Sequence, residues 1–191
     1  GSKVSTKLDV LNNLVKKVDK IVIGGGMANT FLYGQGINIG KSLCEKDLSE
    51  TVKQIIASAE LNDCEIILPS DAMVSDDINN GKNAVEKNIS EISENDMILD
   101  IGTKSTNDII KKIKDCKTLI WNGPVGAFEF SPFEQGTKKI AETVAKLTKS
   151  GDLVSVAGGG DTVSALAMAN AKDDLSYVST AGGAFLEWME G

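Results

Sequence analysis

The chain reads as an α/β protein, a three-layer α/β/α, Rossmann-like arrangement around an open parallel sheet of about six strands. Short apolar runs rich in β-branched residues alternate with segments of helical period along the whole sequence, and that alternation favours one parallel sheet with helices on both faces. Glycine clusters follow several of the runs, at Gly24-Gly25-Gly26, Gly158-Gly159-Gly160 and Gly182-Gly183, the places where open α/β sheets bind ligands. A length of 191 residues suits one sizeable core, so residues 1–191 are expected to form a single domain.

Taken in order, Leu8, Leu11, Val15 and Val18 fall on one face of a helix that Ser5 or Thr6 would cap, with Lys7 in its first turn. A cation there opposes the helix dipole, so Lys7 is either a solvated surface lysine or one that meets an arriving anion. Residues 20–23 form a short buried strand that runs into the first glycine cluster and a helix. Residues 47–61 give the next helix, with Leu48, Val52, Ile55, Ile56 and Ala59 inward, and 65–69 a second strand. The stretch 70–95, rich in Asp, Asn and Ser, reads as an irregular or partly extended excursion. A strand over 96–102 precedes a helix over 104–115 with Ile109, Ile110 and Ile113 inward. Then come a strand over 118–121, a helix over 132–149 ended by Gly151, strands at 153–157 and 177–179, and helices over 163–169 and 184–189.

Composition narrows the chemistry. A net charge of −7 leaves no basic excess to displace phosphate counterions, which argues against nucleic acid as a partner. The 3 cysteines are widely spaced with no Cys-x-x-Cys pair, which favours a reducing cytoplasm over a disulfide framework or a zinc site. With His at 0, Ser-His and Cys-His nucleophilic pairs are excluded, leaving lysines, carboxylates, backbone amides or a ligand-borne metal. No apolar run is long enough to span a bilayer and no signal-like segment opens the sequence, so no membrane partner is expected.

Two glycine motifs need sorting. Gly24-x-Gly26-x-x-Asn29 approaches the dinucleotide fingerprint, but Asn29 stands where a small residue should let helix and strand pack closely. Gly36-Ile37-Asn38-Ile39-Gly40-Lys41-Ser42 resembles a phosphate-binding P-loop, yet it has three residues rather than four between its glycines and no clear preceding strand.

More informative is Asn122-Gly123-Pro124-Val125-Gly126-Ala127-Phe128-Glu129, directly after an apolar strand. It is either a tight strand-to-helix turn or a cleft wall where backbone approaches a ligand. In Gly158-Gly159-Gly160-Asp161-Thr162 the glycines free amides at a helix start for an anion. There Asp161 is either a magnesium ligand for a phosphate-borne metal or a helix N-cap. Thr180-Ala181-Gly182-Gly183 has the same character without a carboxylate, as a simple turn or as amides for a phosphoryl group in flight.

Together with Lys3-Val4-Ser5-Thr6-Lys7 and Ile23-Gly24-Gly25-Gly26-Met27-Ala28, these motifs resemble phosphoglycerate kinase, in its C-terminal, nucleotide-binding half. The resemblance runs from the first residues to the last. It implies reversible phosphoryl transfer between 1,3-bisphosphoglycerate and ADP, giving 3-phosphoglycerate and MgATP in glycolysis. Adenine would lie near Gly24, Gly25, Leu43 and Gly102, the ribose at Glu129, and Asn122 and Pro124 along the base and triphosphate. Lys7 would hold nucleotide phosphate and Lys3 would neutralise the group in flight. Asp161 would be linked to Mg2+, and Gly159, Gly160 and Thr162 would donate to phosphate, with Gly160, Gly182 and Gly183 near the transferred group.

Two departures qualify that picture. The family pattern has glycine and serine where Ala181 and Phe185 stand, with Gly182 and Gly183 retained for an anion site. The family's N-terminal half, which carries the basic patch for phosphoglycerate and an arginine that assists transfer, is not in this sequence. The 191 residues alone are therefore expected to bind ADP or ATP with Mg2+ as a monomer without turning over. The competing readings are an NAD-binding dehydrogenase domain, suggested by Gly24-x-Gly26, and a non-catalytic adenine-nucleotide binding module.

Overall fold

A computed structural model describes residues 2–79 and 81–181. Gly182, Gly183, Phe185 and the helix expected over 184–189 lie outside the described residues. The architecture is mixed α/β with parallel sheets and six helices, α1 to α6, among the described residues.

The first half is built around α2 (Gly25–Gly34), which follows β1 (Lys20–Val22) and buries Met27, Ala28, Asn29, Thr30, Phe31 and Leu32. A helix apolar on most of its surface must be covered on most of its surface. Its neighbours supply that cover: Val4 from the first turn, Leu11 from α1 (Leu8–Leu14), Val15 at the C-cap of that helix, and Val52, Ile55 and Ala59 from α3 (Ser49–Leu61), all in one cluster with Phe31. The strand β2 (Glu65–Ile67) pairs in parallel with β1, Ile21 opposite Ile66. The expected caps of α1 are differently employed. Lys7 occupies the N-cap position with no side-chain capping bond, the Ser5 hydroxyl bonds Glu45, and Thr6 Oγ1 donates to the Lys3 carbonyl at 3.1 Å.

The excursion over 70–95 departs from the sequence expectation. It contains β3 (Asp71–Ser75) and β4 (Val85–Asn88), which join β5 (Met97–Ile101) in an antiparallel sheet of order β4-β3-β5. The strand expected over 96–102 is thus paired antiparallel, outside the parallel arrangement. Asp71-Ala-Met-Val-Ser is buried on both faces except at Met73, so it lacks the alternation that marks a half-buried strand. Val85-Glu-Lys-Asn is a polar edge strand that resists further pairing. The loop with the P-loop-like spelling closes this sheet: Gly40 bridges Met97, and Ile98 N–H donates to Ser42 Oγ at 2.8 Å.

The second half is a parallel sheet of order β6-β7-β8, from Thr118–Trp121, Val154–Gly158 and Tyr177–Ser179. It packs against α4 (Thr103–Lys114), α5 (Gln135–Lys149) and α6 (Gly160–Met168), with Ile109, Ile113, Ile140, Val144, Leu166 and Trp121 in one core that also takes in Ile67 and Ile101. The strands fall into three hydrogen-bonded groups rather than one six-stranded sheet. No helix among the described residues is long and apolar enough to cross a membrane.

Candidate functional site

A cleft of about 600 Å3 opens beyond the C-terminal ends of β1, β6 and β7, where Gly25, Asn122 and Gly159 line it. That volume falls in the range of small-molecule sites. It lies where the direction of parallel strands delivers helix N-termini: α2 begins at Gly25 and α6 at Gly160, each behind a glycine N-cap, Gly24 and Gly159. Both N-caps are glycines and bring no capping side chain; the first amide of α2 is taken by the Val125 carbonyl at 3.1 Å, and the positive ends of the two helix dipoles belong to the cleft's polar chemistry.

Lys7, Asn122, Gly159 and Thr162 form one knot in this wall. Asn122 sits at the end of β6, where its Oδ1 accepts from Lys7 Nζ and its Nδ2 donates to the Gly158 carbonyl at 2.7 Å. One amide thereby ties the start of α1 to the end of β7. Gly159 has φ of 97°, and a Cβ there would meet Asn122 Nδ2 at 2.8 Å, so both its backbone and its neighbour require glycine. Thr162 is buried in α6 and its Oγ1 accepts from Gly123 N–H at 2.7 Å. Pro124 lines the cleft beside this knot, and Asp161 and Gly160 line it from the first turn of α6.

A second, mainly apolar wall comes from Gly25, Gly26, Ala28, Leu43, Leu99 and Val125. Asn29, the residue that spoils the dinucleotide fingerprint, is 2 % exposed and donates from Nδ2 to the Leu43 carbonyl at 3.1 Å. It holds the Leu43 loop against α2. The Leu43 side chain is 57 % exposed, an apolar group left open beside a cleft.

The structure thus gathers Lys7, Gly25, Leu43, Asn122, Pro124, Gly159, Gly160, Asp161 and Thr162 on one cavity. Lys3, Gly24, Gly102 and Glu129 are not on its lining. Lys3 is exposed next to Ser2, which does line the cleft, and Glu129 is exposed in the turn where Phe130 N–H bonds the Ala127 carbonyl. Gly24 abuts Val125, whose Cγ1 would lie 2.8 Å from a Cβ. Gly102 has a different reason to be glycine: a Cβ there would run into the carboxylate of Asp71.

Asp100 was not among the residues singled out from the sequence. It is 2 % exposed at the end of β5, accepts Gly136 N–H at 2.8 Å and Ile101 N–H at 2.9 Å, and lines the same cleft. Burial pushes its carboxyl up to about 7, with the charge of Glu134 adding to the rise and the two N–H bonds opposing it. A carboxylate inside the apolar run Met97-Ile98-Leu99-Asp100-Ile101 was the available signal. Among the described residues no His, Cys, Asp and Glu side chains cluster in threes as a metal cage. The carboxylate at Asp161 fits a magnesium ion that brings its other ligands as phosphate oxygens and water.

The phosphoglycerate kinase family model matches residues 1–191. Curated phosphoglycerate kinases of Methylorubrum extorquens (strain PA1) and Zymomonas mobilis are each 56 % identical over 191 residues, covering 100 % of this chain and 48 % of theirs. A solved phosphoglycerate kinase from Coxiella burnetii superposes with a TM-score of 0.95 at 45 % identity, over 100 % of this chain and 48 % of that one. The enzyme from Pyrococcus horikoshii OT3, at 24 % identity and a TM-score of 0.80, shares the fold. The chain spans about half the length of the curated relatives it matches. On a match that runs from its first residue to its last, the chain belongs to the phosphoglycerate kinase family.

Proposed function

We propose that these 191 residues are the nucleotide-binding part of a phosphoglycerate kinase, taking MgADP or MgATP in reversible, glycolytic phosphoryl exchange with 1,3-bisphosphoglycerate and 3-phosphoglycerate. One observation carries the reading: a single cleft joins an apolar wall of Gly25, Leu43 and Leu99 to a polar one of Lys7, Asn122, Gly160 and Asp161. An adenine nucleotide has the same division, a flat apolar base at one end and a polyanion at the other. In this reading the base is held by contact with the first wall, and Glu129, exposed and not on the cleft lining, takes the ribose.

The phosphates lie at the start of α6, where backbone amides and the helix dipole favour negative charge, and Lys7 supplies a point charge. Asp161 would hold a magnesium ion brought with the nucleotide, directly or through water, and the ion would supply the positive charge that removes the repulsion a bare carboxylate has for phosphate. Lys3 and the amides near Gly160 serve the transferred group in this reading, and Gly182 and Gly183, which the sequence sets beside it, lie outside the described residues. The protein's contribution is placement and charge stabilisation rather than covalent chemistry.

Calorimetry of ADP binding, with and without Mg2+, tests this reading on the parent chain and on Asp161→Ala. The parent is expected to bind ADP more tightly with Mg2+, and the variant to lose most of that difference, with NADH showing no comparable binding. NADH binding in place of ADP, or an unchanged magnesium response in the variant, would overturn it.

A further inference from the structure

Glu45 lies outside the cleft lining, yet its carboxylate accepts Val4 N–H at 2.6 Å and Ser5 N–H at 3.1 Å, and also the Ser5 hydroxyl. Those partners are 40 and 41 residues away in sequence, and they belong to the segment that begins with Lys3 and ends with Lys7. Val4 is 0 % exposed, and its carbonyl accepts Lys7 N–H at 2.9 Å. Fixing Val4 therefore fixes the turn from which Lys7 reaches Asn122.

The other side of Glu45 is equally well anchored. Its N–H donates to Thr30 Oγ1 at 3.1 Å, in the buried middle of α2, and two residues earlier the Leu43 carbonyl takes the Asn29 amide. The segment Leu43-Cys44-Glu45 is bolted to α2 by its backbone and holds the lysine segment by one side chain. Leu43 is on the apolar wall and Lys7 on the polar wall of the same cleft.

We propose that Glu45 is a positioning residue that sets the lysine segment relative to the base-side wall, so that base contact and phosphate contact occur at a fixed separation. The inference rests on the nucleotide reading of the cleft. A carboxylate suits the task because it accepts several N–H and O–H groups at once, and charge-assisted bonds are stronger than neutral ones.

The test compares ADP with adenosine, which has the base and ribose but no phosphate. In Glu45→Ala the lysine segment loses its anchor, so ADP affinity is expected to fall about tenfold or more, the scale of one charged hydrogen bond, while adenosine affinity stays within about twofold. Ser5→Ala removes one exposed partner without touching the fold and should shift the ADP-to-adenosine ratio in the same direction by less. Glu45→Gln keeps one acceptor oxygen and should fall between parent and Ala. An unchanged ratio in Glu45→Ala and Ser5→Ala, whether both ligands weaken together or neither does, overturns the positioning role. A parent chain that binds neither ADP nor adenosine overturns the nucleotide reading itself, and this inference with it.

Discussion

Asp100 makes the cleft sensitive to pH. Its carboxylate fills the space against Gly126 and Gly136, and the neighbouring Leu99 carbonyl takes Ala127 N–H at 2.7 Å, so β5 holds the loop that forms one wall. Its folded pKa of about 7 stands above the ordinary carboxylate value of about 3.9. The protonated form is therefore favoured by folding. The stability this contributes is fully present below the unfolded pKa and is lost as pH rises through about 7. Asp100→Asn cannot ionise. Whatever its constant offset, the variant is expected to gain about 2 kcal/mol relative to the parent between about pH 5.5 and about pH 8. Asp71 and Glu45 titrate below their ordinary values and lie outside that window in both chains. Urea unfolding at the two pH values checks it, and a flat difference would remove Asp100 from the role. The cleft residues legible in the sequence, Asn122, Pro124, Gly159 and Asp161, stand in glycine-bearing motifs after strands. Asp100 was marked only as a carboxylate in an apolar run, with nothing to indicate its bond to Gly136, 36 residues on, and Glu45 was not legible, because it acts on backbone far away in sequence that neither pattern nor spacing encodes.

A single carboxylate also decides how α4 begins. Gly102 is its N-cap and offers no side chain, and the cap comes from another element: Asp71 of β3 accepts Lys104 N–H at 2.9 Å and Ser105 N–H at 2.7 Å. The Ser105 hydroxyl bonds back to Asp71 and receives Ser70 N–H at 2.9 Å. Burial alone would push the Asp71 carboxyl up, but the bonds from Ser105 and Lys104 outweigh it and hold the group below its ordinary range. Asp71→Ala would leave α4 without its cap in a buried setting. It is expected to cost about 2 kcal/mol or more, from a lost N-cap together with donors left unsatisfied. Asp71→Asn, which keeps one acceptor, should cost less, and urea denaturation of both variants measures the difference. A loss under about 0.5 kcal/mol, the scatter of ordinary surface changes, would show that water replaces the cap. The elements that periodicity predicted, α3, α4 and α5, are those with one apolar face. The elements it missed, β3 and β4, are a strand buried on both sides and a polar edge, which the two-residue pattern does not mark.

The charge inventory of the molecule sets what its cleft does alone. Every one of the 20 basic residues is lysine, with no arginine in the sequence, and the net charge is −7. Lys7 is the one cation on the cleft lining among the described residues. In the proposed reading, a nucleotide polyphosphate with its magnesium would be served by that lysine, Asp161 and helix amides. An acyl phosphate that carries a second phosphate and awaits in-line attack needs further fixed positive charge, which arginine supplies best by its two-pronged geometry. Transfer also requires donor and acceptor to be held within reacting distance, because phosphoryl transfer is catalysed by positioning together with electrostatic stabilisation. The purified 191 residues are therefore expected to bind MgADP, and to be stabilised by about 2.7 kcal/mol at a hundredfold excess over Kd, while giving no phosphoryl transfer in a coupled ATP-forming assay. Supplying in trans the remaining half of a relative such as the Zymomonas mobilis protein should restore measurable transfer, in proportion to the concentration of the added half. Robust turnover by the 191 residues alone would show that the acyl-phosphate site lies within them and that lysines suffice for it.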